Sequence, residues 1–507
     1  MQRDGANESL WQNNMPVYLP KHNIIPIQKF DVIVVGGGIT GITTALLLQK
    51  AGKKVVLAEA HTIGFGTTGG TTAHLNTLLD TPYNIIAKNF NDRAAEQVAT
   101  LSAQAINLIK HNIKEYNIDC GYADAVAYLY AQDEKQEKEL DEIYNATKAA
   151  GVDVSISSKI PVPVPFTKAL AAKDQGRFHP AKYIYGIAKA FEDLGGILLQ
   201  GCAVTAVKDD EYLQIQTSLG VIEAANIIYA THIPPGINLL HFRCAPYRSY
   251  AMAFTLKDEN YPDGLAYDMY DPYHYFRSQE VDGQQYLIAG GDDHKTGHEE
   301  NTENCFRSLE SYVRKFYNVD EAAFKWSSEY FDPADGLPYI GHLPGSPDNY
   351  FVATGFGGNG MTYGTGSAII LCDIITKGQS EYQELFNPNR IKPVAGFANF
   401  ITENASVVKD FIGMRIGIEK LTELSELAHN EAKIVKYEGK KLGIYKDENG
   451  KIHAVNPICT HAKCIVAWNN TEKSWDCPCH GGRFSCDGEV LTGPPREPLE
   501  KVELGEM

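Results

Sequence analysis

The feature that most constrains this chain lies near its C-terminal end, where metal-binding side chains occur in two short clusters. The first reads Cys459-Thr460-His461 and the second Cys477-Pro478-Cys479-His480, which gives C-x-H, fifteen intervening residues and then C-x-x-H. Thiolate and imidazole groups are both metal ligands in proteins. The last part of the chain is therefore expected to fold around a metal centre that the two clusters share.

The order of these ligands favours an iron–sulfur cluster. Two cysteines and two histidines in this order form the ligand set of a Rieske [2Fe–2S] cluster, with Cys459 and Cys477 on one iron and His461 and His480 on the other. Two ferric ions, two sulfides and two thiolates sum to zero charge, so such a cluster accepts an electron more readily than one held by four thiolates. A zinc site is the alternative, although zinc fingers pair cysteine with cysteine and histidine with histidine.

The pattern C-T-H-x-x-C with C-P-C-H resembles the Rieske proteins of the quinol-oxidising cytochrome complexes, over about residues 430–505. The resemblance implies a disulfide between Cys464 and Cys479 that joins the two cluster-binding loops. It also implies that Gly493-Pro494-Pro495 forms a loop that covers the cluster.

Two positions depart from that family. Its usual serine and tyrosine after the second cluster are replaced by Gly482 and Phe484, which carry no hydroxyl. Hydrogen bonds from hydroxyls to the cluster sulfurs stabilise the reduced state. We therefore expect a potential below the upper end of the Rieske range of about −150 to +300 mV.

Near the other end of the chain, residues 31–60 predict a strand, a glycine turn, a helix and a second strand. Gly36, Gly38 and Gly41 form G-x-G-x-x-G, which allows a tight turn, close approach to a pyrophosphate, and packing of the helix on the strand. Glu59 ends the second strand, where an acid can hold ribose hydroxyls. This combination predicts dinucleotide binding; a glycine-rich turn without a ligand is the alternative.

Two further segments favour FAD over NAD. Residues 62–76, which include Thr71 and Thr72, form a Gly/Thr-rich loop that can follow a long extended cofactor. A second glycine-rich stretch spans residues 353–366, preceded by Asp335 to Gly341. Two distant glycine-rich segments indicate one flavin held at both ends. A strand at residues 203–207 is expected to meet the adenine through the backbone of Val204.

This set of segments resembles the D-amino-acid oxidase, glycine oxidase and sarcosine oxidase family of FAD enzymes, over residues 30–390. The resemblance implies that the late segment lies against the isoalloxazine ring and opens a helix. Its flavin-binding residues would be Gly355, Gly357, Gly358, Asn359, Gly360 and Met361. Taken whole, the chain resembles a bacterial group of FAD-dependent oxidoreductases that carry a C-terminal Rieske domain.

The expected fold is multidomain: a Rossmann-like α/β FAD-binding domain, an interleaved antiparallel-sheet (α+β) substrate domain and a small all-β Rieske domain. The predicted boundaries are a lead-in at 1–29, the FAD-dependent oxidoreductase at 30–390, a linker at 391–430 and the Rieske domain at 431–507. Within the oxidoreductase, residues 30–80, 165–240 and 335–390 are assigned to FAD binding, and 81–164 and 241–334 to the substrate region.

Composition excludes some classes of partner. The 507 residues carry a formal net charge of −17 and no basic block, which argues against nucleic acid and anionic membrane surfaces. No apolar run approaches the ~18 residues of a membrane span. No signal peptide is visible, so the cytoplasm is the expected location.

The predicted function is a dehydrogenase that oxidises an amine or an amino-acid-like substrate. Electrons would pass from FAD to the Rieske cluster and on to an external acceptor, either a quinone or a soluble carrier. One alternative is a non-enzymatic electron carrier or redox sensor. Another is a reductase fed by NAD(P)H, although the chain shows one Rossmann fingerprint.

Catalytic candidates are harder to identify. In the resembled family an arginine and a tyrosine often clamp a substrate carboxylate, and Arg277 and Tyr250 are the candidates here, with Arg248 as another. A structural role is the alternative for each. His74 follows the flavin loop and is a candidate for flavin contact, though a plain loop histidine is the simpler interpretation. The stretch from Gly290 to Gly297 is expected to form a polar turn, and a metal site at Asp292, Asp293, His294 and His298 is the alternative.

Overall fold

A computed structural model describes residues 3–390, 419–421 and 423–504. The described helices are α1 Ile39–Lys50, α2 Thr67–Gly70, α3 Tyr83–Asn89, α4 Asp92–Glu115, α5 Glu134–Ala149, α6 Pro180–Asp193, α7 Glu303–Phe316, α8 Gly360–Lys377 and α9 Gln383–Phe386. Short 3₁₀ turns span Leu239–Phe242 and Leu424–Glu426.

The strands in the first half of the chain are β1 Lys29–Val35, β2 Val55–Ala58, β3 His74–Leu75, β4 Ala123–Ala131, β5 Val154–Ser157, β6 Lys168–Arg177, β7 Ile197–Leu199, β8 Val204–Lys208, β9 Leu213–Thr217, β10 Gly220–Tyr229 and β11 Cys244–Leu256. They are followed by β12 Leu265–Asp268, β13 Tyr275–Val281, β14 Gln284–Lys295, β15 Val319–Pro333, β16 Tyr339–His342 and β17 Tyr350–Thr354. The C-terminal strands are β18 Glu419–Lys420, β19 Glu431–Tyr437, β20 Lys440–Lys446, β21 Ile452–Val455, β22 Ala467–Asn469, β23 Ser474–Asp476, β24 Arg483–Ser485 and β25 Val490–Thr492.

The first sheet has the order β16-β17-β10-β1-β2-β7, with β9 and β8 extending from β10. Its central strands are parallel, and β1 is buried on both faces because apolar residues alternate into two separate cores. Val32 and Val34 face the core formed with α1, α4, α6 and α8, whereas Ile33 and Val35 face the opposite core. Helix α1 therefore starts at the carboxyl end of β1, where cofactors bind in such sheets.

The second sheet has the order β15-β11-β14-β13-β12-β4-β6-β3, with β5 paired to β6. All of its pairings are antiparallel except that between β4 and β12. Its strands come from residues 74–177 and 244–333, so this sheet and the first one alternate along the chain. Two four-stranded sheets, β18-β19-β20-β21 and β22-β23-β24-β25, form the all-β C-terminal domain. The predicted fold class is confirmed.

The structure moves some predicted boundaries. Strand β6 pairs with β4 from Lys168 to Arg177 in the second sheet, so the return to the first domain begins with α6 and not at residue 165. The predicted linker at 391–430 lies mostly outside the described residues. Its last part contributes Leu424 and Leu427 to the core of the C-terminal domain, because these side chains pack with Val435 and Ile444.

The predicted lead-in is packed against the rest of the molecule. Leu10 and Trp11 are buried with Ala251, Ala253 and Trp326 of the second sheet. Within the part of the chain that the structure describes, no helix combines the length and apolarity needed to cross a membrane.

Candidate functional site

A cavity of about 500 Å³ lies between the first sheet, the second sheet and the C-terminal domain. The first sheet contributes the turn after β1, the end of β2 and the residues after β10. The second sheet contributes side chains from β11, β14 and β15, and the C-terminal domain contributes residues between Glu489 and Pro498. The cavity thus has walls from all three parts of the chain, as expected of a buried cofactor site.

The predicted glycine fingerprint forms one end of this cavity. Gly36 has a φ of +112°, and a Cβ there would lie 2.5 Å from the carbonyl oxygen of Ala230. A Cβ on Gly41 would lie 1.9 Å from the carbonyl oxygen of Gly36, so α1 can approach β1 only with glycine at this position. Gly38 precedes α1 and supplies no side-chain cap, while the first N–H of the helix, that of Ile39, donates to Thr68 Oγ1 at 3.1 Å. The glycine turn and the start of the helix fit a pyrophosphate.

Glu59 lies beside the fingerprint at the end of β2. Its Oε2 accepts a hydrogen bond of 2.6 Å from the backbone N–H of Gly37, and its Oε1 accepts one of 2.8 Å from His61. Burial raises the pKa of this carboxyl, and the two backbone N–H groups oppose that rise. Val204, Thr71 and Thr72 also line the cavity, so the predicted FAD contacts share one space.

The late glycine segment lies in the same cavity wall. Gly357, Gly358, Asn359, Gly360 and Met361 line it, and α8 begins at Gly360 without a side-chain cap. The arrangement fits a flavin ring with anionic character near the start of α8. Gly355 is the exception: it is not part of the cavity wall, and a Cβ there would lie 3.1 Å from the Cys244 sulfur. Close packing and a φ of +75° explain why this position is a glycine.

Aspartate and tyrosine side chains line the part of the cavity next to this segment, and the sequence did not predict that they meet there. Asp80 Oδ2 accepts a 2.7 Å hydrogen bond from the backbone N–H of Gly358. Asp293 Oδ2 accepts a 3.0 Å hydrogen bond from the Tyr330 hydroxyl. We call this region the sheet end of the cavity, defined by Asp80, Tyr273, Tyr275, Asp293 and Tyr330.

Arg277 does not line the cavity. Its guanidinium is fully buried and donates hydrogen bonds to the carbonyl oxygens of Thr72 at 2.9 Å and Ala73 at 2.6 Å. It also lies over the Trp11 ring, with 5.3 Å between the guanidinium carbon and the ring centre. This geometry gives Arg277 a role in holding the loop before β3, instead of the predicted contact with a substrate carboxylate.

Tyr250 and Arg248 are also directed elsewhere. The Tyr250 hydroxyl lies 2.9 Å from His294 Nε2, and its ring packs in a core cluster. Arg248 donates to Ser327 Oγ at 2.7 Å on the side that faces the C-terminal domain. Neither lines the cavity. His74 does line it: Nδ1 is 2.7 Å from the Tyr267 hydroxyl, and burial together with Arg277 lowers its pKa well below the ordinary value.

The C-terminal domain brings the predicted metal ligands together. Cys459 and Cys477 are each only 1% exposed, and their thiols lie within hydrogen-bonding distance of each other. The rings of His461 and His480 are 4.9 Å apart. Both histidine Nδ1 atoms are buried without a hydrogen-bond partner among the described residues. Two adjacent thiols and two free imidazole nitrogens fit the ligand set of a Rieske cluster.

The surroundings of these ligands support the assignment. His461 Nε2 lies 3.2 Å from the carbonyl oxygen of Gly236; a proton on Nε2 leaves Nδ1 as the metal-binding atom. Cys464 and Cys479 form a disulfide, which confirms the predicted bond. A Cβ on Gly482 would lie 2.7 Å from Pro495 and 3.8 Å from the Cys459 sulfur. The proline loop therefore closes over the position where the resembled family has a serine.

One short segment connects the cavity to the metal ligands. Residues 230–233 and Pro235 line the cavity, and Gly236 accepts the hydrogen bond from His461. A second connection runs through Phe331, whose ring is 4.7 Å from that of His232 in the cavity wall. The same Phe331 ring would lie 3.0 Å from a Cβ on Gly481, the neighbour of His480. The two candidate cofactor sites therefore share a wall.

The histidine ligands are covered by the oxidoreductase part of the chain. The His241 ring lies 4.7 Å from that of His461 and 5.9 Å from that of His480. The Phe242 ring lies 5.6 Å from His480. His480 itself is 4% exposed. In this arrangement both histidines face the oxidoreductase domain, with His480 buried and His461 partly exposed.

Buried charges hold the C-terminal domain in this position. Arg483 Nη1 pairs with Asp4 Oδ2 at 3.0 Å, and its Nε pairs with Asp476 Oδ1 at 3.2 Å. Glu472 accepts hydrogen bonds of 2.9 Å and 2.7 Å from the backbone and the hydroxyl of Ser327. Arg3 donates to the Ser327 carbonyl at 2.8 Å. The lead-in is thus held between the second sheet and the C-terminal domain.

Comparisons with known proteins agree with this geometry. The family model "FAD dependent oxidoreductase" matches residues 31–374, and "Rieske [2Fe-2S] domain" matches residues 418–503. A Bacillus subtilis protein, YhfW, provisionally described as a Rieske 2Fe-2S iron–sulfur protein, is 32% identical over 94% of this chain and 93% of its own length.

Two further relatives share the oxidoreductase part. The gamma-glutamylputrescine oxidoreductase of Escherichia coli is 29% identical over 39% of this chain and 48% of its own length. The crystal structure of glycine oxidase from Geobacillus kaustophilus superposes with a TM-score of 0.60 at 17% identity, covering 72% of this chain and 99% of that one. The similarity to glycine oxidase concerns the fold alone.

Proposed function

The chain belongs to the FAD-dependent oxidoreductase family and carries a C-terminal Rieske [2Fe–2S] domain, and on this basis we propose that it is a dehydrogenase. Its proposed substrate is an amine or an amino acid. Its electrons would leave through the Rieske cluster to an external acceptor, either a quinone or a soluble carrier. The similarity to gamma-glutamylputrescine oxidoreductase supports a donor of this kind.

The observation that carries this proposal is the shared wall between the two cofactor sites. Gly236 lies three residues after the cavity residue Ile233 and bonds to the ligand His461. When bound, FAD accepts a hydride from a donor, whereas the cluster accepts single electrons, so the two together convert a two-electron oxidation into one-electron delivery.

The residues of the chain support the two sites in different ways. At one end of the cavity, Gly36, Gly38 and Gly41 let the backbone approach a pyrophosphate, and Glu59 supplies a carboxylate for ribose. The uncapped start of α8 offers N–H groups toward negative charge. The C-terminal domain adds residues 489–493, Pro495 and Arg496 to the cavity wall. This wall would limit the access of water to the reaction.

A stopped-flow experiment tests the proposal. The full chain, with both cofactors, is mixed anaerobically with a panel of amines and amino acids while flavin and cluster absorbance are followed together. We expect a donor that reduces the flavin to reduce the cluster next, in the same molecule, at a rate independent of protein concentration. A flavin that stays reduced beside an oxidised cluster would contradict the proposed route. Location in the cytoplasm stays a prediction.

A further inference from the structure

The sheet end of the cavity brings two carboxyl groups together. Asp80 and Asp293 both line it, burial raises the pKa of each, and the charge of Asp80 opposes the ionisation of Asp293. Burial is the main reason that the pKa of Asp293 is raised to about 7, and the charges of Asp80 and Asp292 add to it. Ser249 and Tyr330 donate hydrogen bonds that oppose this rise. The Asp293 side chain is half-buried and lines the cavity, so its carboxyl group lies where a cationic ligand group would contact it.

Aromatic rings accompany these carboxylates. The rings of Tyr273 and Tyr275 are 5.7 Å apart, and Tyr330 stacks on Tyr247 with ring centres 5.8 Å apart. The Tyr273 hydroxyl would lie 3.4 Å from a Cβ on Gly358, which places it beside the late glycine segment. Tyrosine faces attract cations through the ring quadrupole. Carboxylates and tyrosines at one site therefore favour a positively charged ligand.

No arginine or lysine at this end balances the acids. Among the described residues that line the cavity, Arg496 is the one basic side chain of these two types. Its guanidinium donates to the carbonyl oxygens of Pro235 at 3.3 Å and Thr205 at 3.5 Å, next to Val204 and the nucleotide end. Arg277 and Arg248 are both buried outside the cavity wall. A substrate carboxylate at the sheet end would face Asp80 and Asp293 without a cation to bind it.

We infer that the sheet end binds the ammonium group of an amine that carries no carboxylate on its reacting carbon. The inference rests on the proposed function and narrows its substrate class from amines and amino acids to amines alone. Asp80 and Asp293 supply the countercharge, and Tyr273, Tyr275 and Tyr330 supply the aromatic wall. An amino acid of the same shape is disfavoured because its carboxylate would lie beside Asp80 and Asp293, and like charges repel.

Two probes of similar shape and opposite charge test the site without turnover. The full-length protein loaded with FAD is titrated with benzyltrimethylammonium and, separately, with benzoate, by calorimetry and by the change in flavin absorbance. We expect the cation to bind at least about tenfold more tightly than benzoate. Tighter binding of benzoate would overturn the inference, and this comparison needs no variant to fold.

Variants locate the effect. Asp293→Asn and Asp80→Asn keep the size of each side chain and remove its charge. We expect each to weaken binding of benzyltrimethylammonium by about tenfold or more, because a charge-assisted contact is lost. Asp258→Asn, an exposed position outside the cavity, is the matched control and should leave the affinity unchanged. An unchanged affinity in both cavity variants would overturn the inference.

Donor pairs separate this inference from the proposed function. Each pair joins an amine to the amino acid with the same side chain: 1,4-diaminobutane with ornithine, benzylamine with phenylglycine, and isobutylamine with valine. Anaerobic flavin reduction by amines and not by their partners supports the inference. Reduction by the amino acids alone overturns it and leaves the proposed function intact. Cation binding that depends on Asp293, with no donor reducing the flavin, supports the site and overturns the proposed function.

Discussion

Arg483→Met is expected to loosen the C-terminal domain because it removes the central cation of a buried charge network. The Arg483 side chain is 0% exposed and pairs with Asp4 and Asp476, whose side chains are 7% and 2% exposed. Removing one partner of a buried pair costs about 3–5 kcal/mol, since the remaining charge stays buried. Arg248 still lies 3.8 Å from Asp476, and Arg3 still lies 3.2 Å from Asp4. We therefore expect a loss near the lower end, about 3 kcal/mol.

The assay is equilibrium urea unfolding of the full chain, followed by loss of the visible absorbance of the cluster. Arg314→Met is the matched control, because Arg314 pairs with Glu310 at 2.7 Å on the surface of α7, where the two side chains are 43% and 34% exposed. Such a pair contributes about 0.3–0.5 kcal/mol. If both variants lost the same small amount of unfolding free energy, the charges around Arg483 would not be desolvated as described.

The same variant has a pH signature. Burial alone would raise the pKa of Asp4, but the guanidinium groups of Arg483, Arg3 and Arg248 hold it below its ordinary value, and the pKa of Asp476 is likewise lowered. A depressed carboxyl pKa stabilises the fold above the unfolded-state pKa, and this contribution is lost as the pH falls. The difference in unfolding free energy between the wild type and Arg483→Met should therefore shrink on acidification. A difference that grows at low pH would refute the reasoning.

Three further outcomes are expected. Cys459→Ser should abolish the absorbance of the iron–sulfur cluster, whereas Cys486→Ser, at a cysteine outside the ligand set, should retain it; equal iron and sulfide contents in both purified proteins would contradict the ligand assignment. Glu59→Gln should weaken FAD binding by about tenfold in equilibrium dialysis, because a carboxylate contact becomes a neutral one; unchanged FAD affinity would remove Glu59 from the site. Because Asp293 ionises as the pH rises through about 7, affinity for benzyltrimethylammonium should increase over that interval. Asp293→Asn should show a flat profile, and a wild-type affinity that falls with rising pH would have the wrong sign.

The two cofactors could be predicted from local patterns, and the matched families agree with them. The glycine fingerprint predicts its own geometry because each glycine is required by a contact only a few residues or one strand away, as with Gly41 against Gly36. The metal ligands are similarly local, since Cys459 and His461 share one loop and Cys477 and His480 share the other. The fold class rested on the family resemblance that these segments carry, and it was confirmed.

The catalytic candidates show where sequence reasoning ends. Arg277 was chosen by the family resemblance, and it lies two residues after the cavity residue Tyr275 in β13. The sequence could not predict that its guanidinium would bind the carbonyl groups of Thr72 and Ala73. The grouping of residues at the sheet end could not be predicted either. Asp80, Asp293 and Tyr330 are far apart in sequence, and they meet only in the folded chain.

The buried charges between the C-terminal domain and the rest of the chain limit how the protein can be divided into fragments. Glu472, Asp476 and Arg483 belong to the C-terminal domain, yet part of their compensation comes from Arg3, Asp4 and Arg248 elsewhere in the chain. A Rieske domain produced alone would expose these charged groups to solvent. The remaining chain would lack one wall of the cavity. The two halves are thus one thermodynamic unit, and the redox potential of the cluster is a property of the joined molecule.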